Sequence, residues 1–301
     1  MEYRPEGRLR KAAGSSLQNS MLSGEILEAK ALLCDNEHNL HFDLGSMRGI
    51  MPRSECALGI AEGTVRDIAI ISRVNKPVCF KILEIEKSIS GIPFAVLSRK
   101  AAQAECMANY VKDLIPGDVI NAAVTHIEPF GAFCDVGCGI TALLPIDGIS
   151  VSRIPNPSVR LHINENIRAV IRSIDEKGRL TLSQKELLGT WKENAAMFRA
   201  GETVPGIIRS IESYGIFIEL TPNLAGLAEV TEGAEEGQQA GVFIKSIIPE
   251  KMKVKLIIVD SFRGELQKPR QKYFFTGKHM DRFLYSPEEC GKIVESVFGS
   301  S

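Results

Sequence analysis

Apolar and polar residues alternate along several short stretches of this chain, and one such stretch is PFGAFCDVG at 129–137. In it Ala132 and Cys134 share one register of a period of two, whereas Phe133 and Asp135 share the other. Successive side chains of a β-strand point to opposite faces, so this pattern predicts a strand that buries the first register. The second register then places a large aromatic ring beside a carboxylate on the outward face.

The same arrangement recurs at 37–45, EHNLHFDLG, and at 213–221, SYGIFIELT. Aligning the acidic residue of each copy superimposes three flat side chains within the strand: His41, Phe133 and Phe217. A second set lies three residues earlier, at the turn before the strand: His38, Phe130 and Tyr214. Each copy therefore predicts two rings displayed to solvent where a strand begins.

Each ring pair lies within a series of short β-rich segments. In the middle copy these segments are GDVINAAVTHIE, GAFCDV, TALLPIDG, IRAVIRSID and RLTLSQK. Five short strands within roughly 70 residues indicate a small closed barrel, because closure leaves no exposed sheet edge. The copies lie roughly 90 residues apart, so each is a whole domain rather than one turn of a solenoid. The predicted fold class is mainly β, with three tandem five-stranded barrels.

The segments between the barrels have helical character: SRKAAQAECMANYVKDL at 98–114 and SQKELLGTWKENAAMF at 183–198. Each begins with a serine suited to capping a helix and is followed by a glycine-containing turn. Trp191, the only tryptophan, is expected to pack the second helix onto a barrel. The last segment, SPEECGKIVESVF at 286–298, has Pro287 in its first turn and predicts a small C-terminal helix.

These assignments divide the chain into seven parts. They are an N-terminal tail (1–20), a divergent first barrel (21–99), a connecting helix (100–115), a second barrel (116–182), a second connecting helix (183–200), an acidic third barrel (201–260) and a basic tail with the C-terminal helix (261–301). The tail interleaves basic and aromatic residues: Lys268, Arg270, Lys272, Tyr273, Phe274, Phe275, Lys278 and Arg282. This run of basic residues fits two interpretations: a solvated end of the chain, or a segment that contacts RNA or the ribosome.

Composition narrows the class of protein. Of the 301 residues, 44% are hydrophobic and 24% are charged, which is ordinary for a packed globular protein. No apolar run approaches the ~20 residues that span a bilayer, and the first residues do not form a secretory signal. Seven cysteines, an odd number, are expected to be reduced thiols in a cytoplasmic protein. The net charge is −1, so bulk charge cannot be the main attraction to a nucleic acid.

The ring-bearing segments and their surroundings resemble the RNA-binding domain named after ribosomal protein S1. The matches are PGDVINAAVTHIEPFGAFCDVG and GRLTLSQK in the second copy, and GETVPGIIRSIESYGIFIEL and AGLAEV in the third. The first copy is a poorer match that keeps the layout. The resemblance implies OB-fold barrels that bind single-stranded RNA on one outer face. Three copies without a catalytic domain are similar to short proteins of Gram-positive bacteria that are linked to ribosomes and translation.

The resemblance also implies roles for individual residues. Aromatic residues of the family stack on bases, which corresponds to Phe130, Phe133, Tyr214 and Phe217 and, less closely, to His38 and His41. Basic residues of the fourth and fifth strands correspond to Arg168, Arg172, Arg179 and Lys253. The family often has a further histidine on the third strand, and the residues here are Pro52, Pro145 and Glu229. Stacking contributes on the order of 1–3 kcal/mol per base whatever the sequence.

Other patterns favour structural roles. GCGITA at 137–142 has the letters of a dinucleotide-binding loop, but β-branched residues and a proline follow it instead of a helix. Cys134 and Cys138 have no second Cys/His pair at ligand spacing, so we expect no metal. FFTGKH at 274–279 lacks the upstream glycine of a phosphate-binding loop. We therefore expect no catalytic residues, no cofactor and no enzymatic activity.

The sequence thus predicts a cytoplasmic RNA-binding protein that acts in translation or mRNA handling. Single-stranded RNA, with mRNA as the expected form, is the predicted partner, and the ribosome is a candidate partner. No membrane and no small-molecule substrate is expected. The alternative is a protein-interaction scaffold on the ribosome or on an RNA-degradation assembly. The third barrel favours that alternative, because residues 201–260 contain nine Asp/Glu against five Lys/Arg.

Overall fold

The structure, a computed structural model, describes residues 3–263 and 272–298. The chain forms two compact units, Met1–Leu114 with Asp135–Thr141 and Ile115–Cys134 with Ala142–Ser301. Three closed five-stranded barrels account for most of it, so the predicted fold class is confirmed. Among the described residues, no helix has both the length and the apolar character needed to cross a membrane.

The first barrel consists of strands with the order β2-β3-β4-β6-β5, closed by pairing of β2 with β5. A two-residue strand, β1, runs parallel to β2. Phe42 and Phe80 are both fully buried in the core of the first barrel, with ring centroids 5.7 Å apart. The elements are β1 (Arg10–Lys11), α1 (Leu17–Ser23), β2 (Leu27–Cys34), β3 (Leu40–Asp43), β4 (Arg48–Met51), α2 (Ile68–Ile71), β5 (Pro77–Lys87) and β6 (Pro93–Ser98).

The second barrel closes in the order β10-β11-β9-β8-β7. Its strands are β7 (Val119–Glu128), β8 (Gly131–Asp135), β9 (Thr141–Pro145), β10 (Asn166–Ile174) and β11 (Leu180–Ser183), with α4 (Ile146–Ile149) after β9. Ala132 and Cys134 of β8 are fully buried, as the period of two predicts. Phe133 between them is therefore on the outer face of the barrel.

The third barrel repeats this topology in the order β12-β13-β14-β16-β15. Its strands are β12 (Thr203–Glu212), β13 (Gly215–Thr221), β14 (Leu224–Ala228), β15 (Gln239–Ile248) and β16 (Lys253–Phe262). Ile216 and Ile218 of β13 are fully buried, and Trp191 packs into the same core at 2% exposure. The expected packing role of Trp191 is confirmed.

The two connecting segments differ in regularity. α3 (Arg99–Asn109) begins at Ser98, whose Oγ accepts a hydrogen bond from the Ala101 amide at 2.8 Å. The second segment is a 3-10 turn (Lys185–Leu188) followed by the short helix α5 (Trp191–Ala195). Gly189 has φ +89° and separates the two, and the cap of α5 is Thr190 rather than a serine at the start of the segment. This connection is therefore less helical than expected.

The C-terminal segment does not form the predicted helix. Residues 286–298 instead contain a turn and a strand, β18 (Glu295–Val297), which pairs antiparallel with β17 (Arg282–Leu284). Tyr285 and Phe298, just beyond the paired strands, are buried. An isolated helix of this length is marginal in water, so tertiary burial in an extended conformation overrides the local capping signals. The expected tail residues Lys268 and Arg270 lie outside the described residues.

Candidate nucleic-acid interface

The turn between β7 and β8 displays two aromatic rings on the second barrel. Phe130 is 55% exposed and Phe133 is half-buried. Their ring centroids are 6.1 Å apart, and their planes are inclined at 87°. Gly131 separates them, and a Cβ there would lie 2.5 Å from the Leu144 carbonyl oxygen. The turn can therefore pack closely against β9 while both rings remain on the outer surface.

His126 adds a third flat ring that the sequence prediction missed. Its imidazole stacks on Phe133 with centroids 6.4 Å apart and planes 21° apart. The His126 Nε2 atom is 2.7 Å from the Glu128 Oε1 atom, which orients the ring. Hairpin geometry was the available signal, because a tight turn at 129–130 places positions 126 and 133 opposite each other. The second barrel thus has a platform of three rings.

The third barrel reproduces the ring pair. Tyr214 is 68% exposed and Phe217 is half-buried, with centroids 6.1 Å apart and planes at 87°. Ser210 lies opposite Phe217 on β12, at the position that corresponds to His126, so this barrel has no third ring there. Lys255 of β16 lies opposite Leu227, which itself lies opposite Phe217. This row places the Lys255 backbone about 10 Å from the Phe217 backbone. The expected residue, Lys253, lies exposed at the start of β16.

The first barrel has a different surface at the corresponding positions. His38 is at the turn with φ +64°, and His41 Nε2 is 2.8 Å from Asp35 Oδ2. That hydrogen bond, together with the Asn39 amide, lowers the pKa of Asp35. Leu33, which is 49% exposed, lies opposite His41 on β2. The His41 ring is thus held by the Asp35 carboxylate. Leu33 occupies the position that His126 has in the second barrel.

Of the three carboxylates predicted on the outward face, Asp43 is exposed, whereas Asp135 and Glu219 are buried. Asp135 is 3% exposed and accepts hydrogen bonds from the amides of Glu6, Gly137 and Gly139 at 2.7, 2.8 and 3.0 Å. Burial, reinforced by the charge of Glu6, raises the pKa of Asp135 to about 7. The polar register therefore serves a buried network, in which one amide donor from the N-terminal segment and two from the following turn offset part of the desolvation.

Glu219 is buried at 4% exposure between two arginines. Arg209 of β12 donates to both carboxylate oxygens, at 2.7 and 3.2 Å, and Arg160 also donates to Oε2. Burial raises the pKa of Glu219, but the hydrogen bonds and charges of these arginines outweigh it and lower the pKa below its ordinary value. Because Arg160 belongs to the second barrel, this ion triad connects the second and third barrels.

Two cations flank the ring-bearing turn of the second barrel. The Ile146 amide donates to the Phe130 carbonyl at 2.9 Å, and Asp147 is the next residue. Arg172 Nη1 is 2.9 Å from Asp147 Oδ2, and its side chain remains 44% exposed. Lys185 Nζ is 3.2 Å from the Asp147 carbonyl oxygen. Arg172 was expected from the sequence, whereas Lys185 lies in a connecting segment and was not.

Arg179 lies in the turn before β11 and is more exposed than Arg172. Its side chain is 75% exposed, and its Nε donates to Asp175 Oδ2 at 2.6 Å. Hydrogen bonds from the backbone and side chain of Arg179 lower the pKa of Asp175. Thr181, two residues later, lies opposite Leu143 of β9. Asp175 thus holds both the turn and the Arg179 side chain, and the guanidinium remains accessible to solvent.

Arg168 does not lie beside the rings, which corrects the expectation from the sequence. It pairs with Asn121 across β10 and β7, about 16 Å along β7 from His126. Its guanidinium donates to the carbonyls of residues 275–277, at 2.8, 3.4 and 2.8 Å. The same guanidinium lies 5.9 Å from the Tyr273 ring centroid. Arg168 therefore anchors the C-terminal segment, whose packing no sequence pattern had indicated.

Comparison with known proteins agrees with the sequence resemblance. Residues 113–185 match the family described as S1 RNA binding domain. The chain is 30% identical over 219 residues to small ribosomal subunit protein bS1 of Leuconostoc lactis, covering 71% of this chain and 48% of that protein. It is 29% identical over 268 residues to the bS1 protein of Staphylococcus aureus strain COL, covering 83% and 66%. The chain thus spans about half the length of the first of these relatives.

Among solved structures, a multidomain protein with nucleic acid binding domains from Streptococcus pneumoniae covers 81% of this chain and 76% of its own. Its sequence identity is 11% and its TM-score is 0.26, which is too low to carry an argument. The family match, in contrast, spans the whole second barrel with its three-ring platform. The resemblance stated from the sequence is confirmed, because the second barrel matches the S1 RNA binding domain family over its whole length.

Proposed function

We propose that this protein binds single-stranded RNA with little sequence preference and acts in translation or mRNA handling. The observation that carries the proposal is the exposed ring platform of the second barrel, formed by His126, Phe130 and Phe133. Every base has a π-face, so rings of this kind bind unpaired bases whatever the sequence. Arg172, Lys185 and Arg179 are the cations that would meet the phosphates on this barrel.

The third barrel would add a second, weaker platform through Tyr214 and Phe217. The two barrels are tied by the buried triad of Arg160, Arg209 and Glu219, so a strand bound at one platform meets the other at high effective concentration. The acidic surroundings of the third barrel oppose phosphate, which makes the second barrel the dominant site. His38 and His41 of the first barrel would contribute least, because Asp35 already holds His41.

The bS1 relatives are named as proteins of the small ribosomal subunit. By that similarity we propose that the chain acts without catalysis, in the cytoplasm, with mRNA as its RNA and the ribosome as its partner. The described residues contain no group of three His, Cys, Asp or Glu side chains placed to hold a metal ion. The proposal therefore rests on binding by rings and cations alone.

A titration of a labelled oligoribonucleotide of about 12 nucleotides tests the proposal directly. Phe130→Ala/Phe133→Ala should weaken binding by about 2 kcal/mol or more, roughly thirtyfold, because two stacking surfaces are lost. Phe262→Ala is the control, since Phe262 is a 50% exposed aromatic residue at the end of β16 and belongs to neither platform. Equal affinities of the double variant and the wild type would refute the assigned site.

The protein-scaffold alternative gains support from the acidic composition of residues 201–260. It predicts that a stoichiometric protein partner remains bound after nuclease treatment and that Tyr214→Ala/Phe217→Ala does not change RNA affinity. Loss of the partner on nuclease treatment would refute the scaffold alternative.

A further inference from the structure

A cavity of about 420 Å³ opens beside the ring-bearing turn of the second barrel. It is enclosed by the segment after β9, by Lys185 and by the β17–β18 hairpin. Ile146 lines the cavity, and its amide donates to the Phe130 carbonyl at 2.9 Å. The cavity wall is therefore continuous with the turn that displays the rings. Its volume is within the range of about 300–1,000 Å³ that is usual for small-molecule sites.

The walls of this cavity are suited to a flat ring. Phe283 and Tyr285 contribute aromatic surface, and Val151 and Ile154 contribute aliphatic surface. The Tyr285 hydroxyl donates to the Asn223 carbonyl at 2.6 Å, so its ring is held in a fixed orientation. Val151 is 37% exposed at the opening. The lining thus offers both aromatic and aliphatic surface to a planar group.

The charges around the cavity favour an anion. Each of its two carboxylates already has an arginine partner: Asp147 pairs with Arg172 at 2.9 Å, and Glu295 Oε2 accepts from Arg282 Nε at 2.6 Å. Arg153 also lines the cavity, is exposed, and has no ion-pair partner among residues 3–263 and 272–298. In that part of the chain, the Lys185 ammonium group donates a hydrogen bond only to the Asp147 carbonyl.

We propose that the cavity binds one nucleoside monophosphate unit, with the base between Phe283 and Val151 and the phosphate at Arg153 and Lys185. The unit comes either from the RNA strand that leaves the Phe130 ring or from a free nucleotide, because both present the same base and phosphate. For the RNA strand, the inference rests on the function proposed above. The C-terminal hairpin then acquires a binding role, since it supplies the aromatic wall.

Two binding measurements distinguish the sources. The first is calorimetric titration with adenosine 5′-monophosphate, and the second is titration with the same labelled oligoribonucleotide of about 12 nucleotides. Val151→Trp fills the opening with a larger side chain at an exposed position, and Val230→Trp, at a residue 57% exposed on the third barrel, is its control. Arg153→Gln removes the phosphate contact at an exposed residue, so it does not threaten the fold.

If the strand supplies the unit, Val151→Trp lowers oligonucleotide affinity about tenfold, the value of one stacked base, and Val230→Trp does not. Arg153→Gln then reduces the slope of log affinity against log salt by about 0.7, the value for one phosphate of a single strand. If a free nucleotide is the ligand, the monophosphate binds the wild type and fails to bind Val151→Trp and Arg153→Gln, whereas oligonucleotide affinity is unchanged.

The inference is overturned if the monophosphate does not bind and both variants bind the oligonucleotide as the wild type does. That result leaves the ring platform intact as long as Phe130→Ala/Phe133→Ala still weakens binding. Conversely, Phe130→Ala/Phe133→Ala could leave oligonucleotide affinity unchanged while Val151→Trp lowers it. That result would refute RNA binding at the ring platform and support binding at the cavity. The urea unfolding midpoint and the far-ultraviolet circular dichroism of each variant verify that the fold is preserved.

Discussion

Replacement of Glu219 by glutamine tests the buried charge between the second and third barrels. Glu219 is 4% exposed and is bound by Arg160 and Arg209, whose side chains are each 7% exposed. The triad therefore already contains one more positive than negative charge. Glu219→Gln keeps the shape of the side chain but leaves two buried guanidinium groups without a counter-ion.

The expected cost follows from that charge balance. Leaving buried charge uncompensated costs about 3–5 kcal/mol of unfolding free energy. Arg160→Met instead leaves Glu219 and Arg209 as a neutral pair joined by two hydrogen bonds, at 2.7 and 3.2 Å. Arg160 Nε also has no hydrogen-bond partner in the described part of the chain, so less is lost. We expect about 1.5–3 kcal/mol for Arg160→Met, the value of a charged hydrogen bond.

Urea unfolding followed by tryptophan fluorescence measures both costs. Trp191 is the single tryptophan and packs in the core of the third barrel, so the signal reports on the affected barrel. Glu212→Gln, at an exposed carboxylate on β12, is the control and should change stability by less than about 0.5 kcal/mol. A larger cost for Arg160→Met than for Glu219→Gln would refute the charge argument. So would a cost of Glu219→Gln no greater than that of the control.

Three further outcomes are expected. Burial raises the pKa of Asp135 from 3.8 to about 7, so between these two values the folded state keeps a proton that the unfolded chain releases. The free energy of unfolding therefore falls as pH rises from 3.8 to about 7. Asp135→Asn should make the urea midpoint less dependent on pH in this window. The hydrogen bond to Asp118 raises the pKa of His279, so its stabilisation is complete below pH 6.5 and is lost as pH rises through the raised value. His279→Gln should make the amide protection factors of residues 278–280, which are corrected for intrinsic exchange, independent of pH in that window. Gly131→Ala places a Cβ 2.5 Å from the Leu144 carbonyl oxygen and should lower the midpoint of thermal unfolding as well as RNA affinity; an unchanged midpoint would show that the turn can relax.

The sequence predicted the barrels and the exposed ring pairs because both depend on local patterns. A period of two in β8 and β13 is enough to place Phe133 and Phe217 outside while their neighbours are buried. His126 was within reach of the same reasoning, since its position follows from pairing across one hairpin. Local alternation alone, however, does not say which ring on the neighbouring strand will stack.

The missed features depend on partners far away along the chain. Glu219 alternates like an exposed residue, but Arg160 approaches it from 59 positions earlier and makes its burial tolerable. The position of Arg168 in the sequence likewise suggests a phosphate contact, but its guanidinium donates to backbone carbonyls of residues 275–277. The C-terminal helix failed for the same reason, because Tyr285 and Phe298 find burial sites that no short-range pattern reveals.

The 87° inclination of both ring pairs has a consequence for the shape of any strand that uses them. Bases that remain parallel in a helical stack, as in a duplex, can lie flat against one ring of such a pair but meet the other edge-on. A strand satisfies both rings only by turning one base through roughly a right angle relative to the other, which breaks the stack between them. The perpendicular rings would thus reject ordered helices by geometry alone, without reading a single base edge.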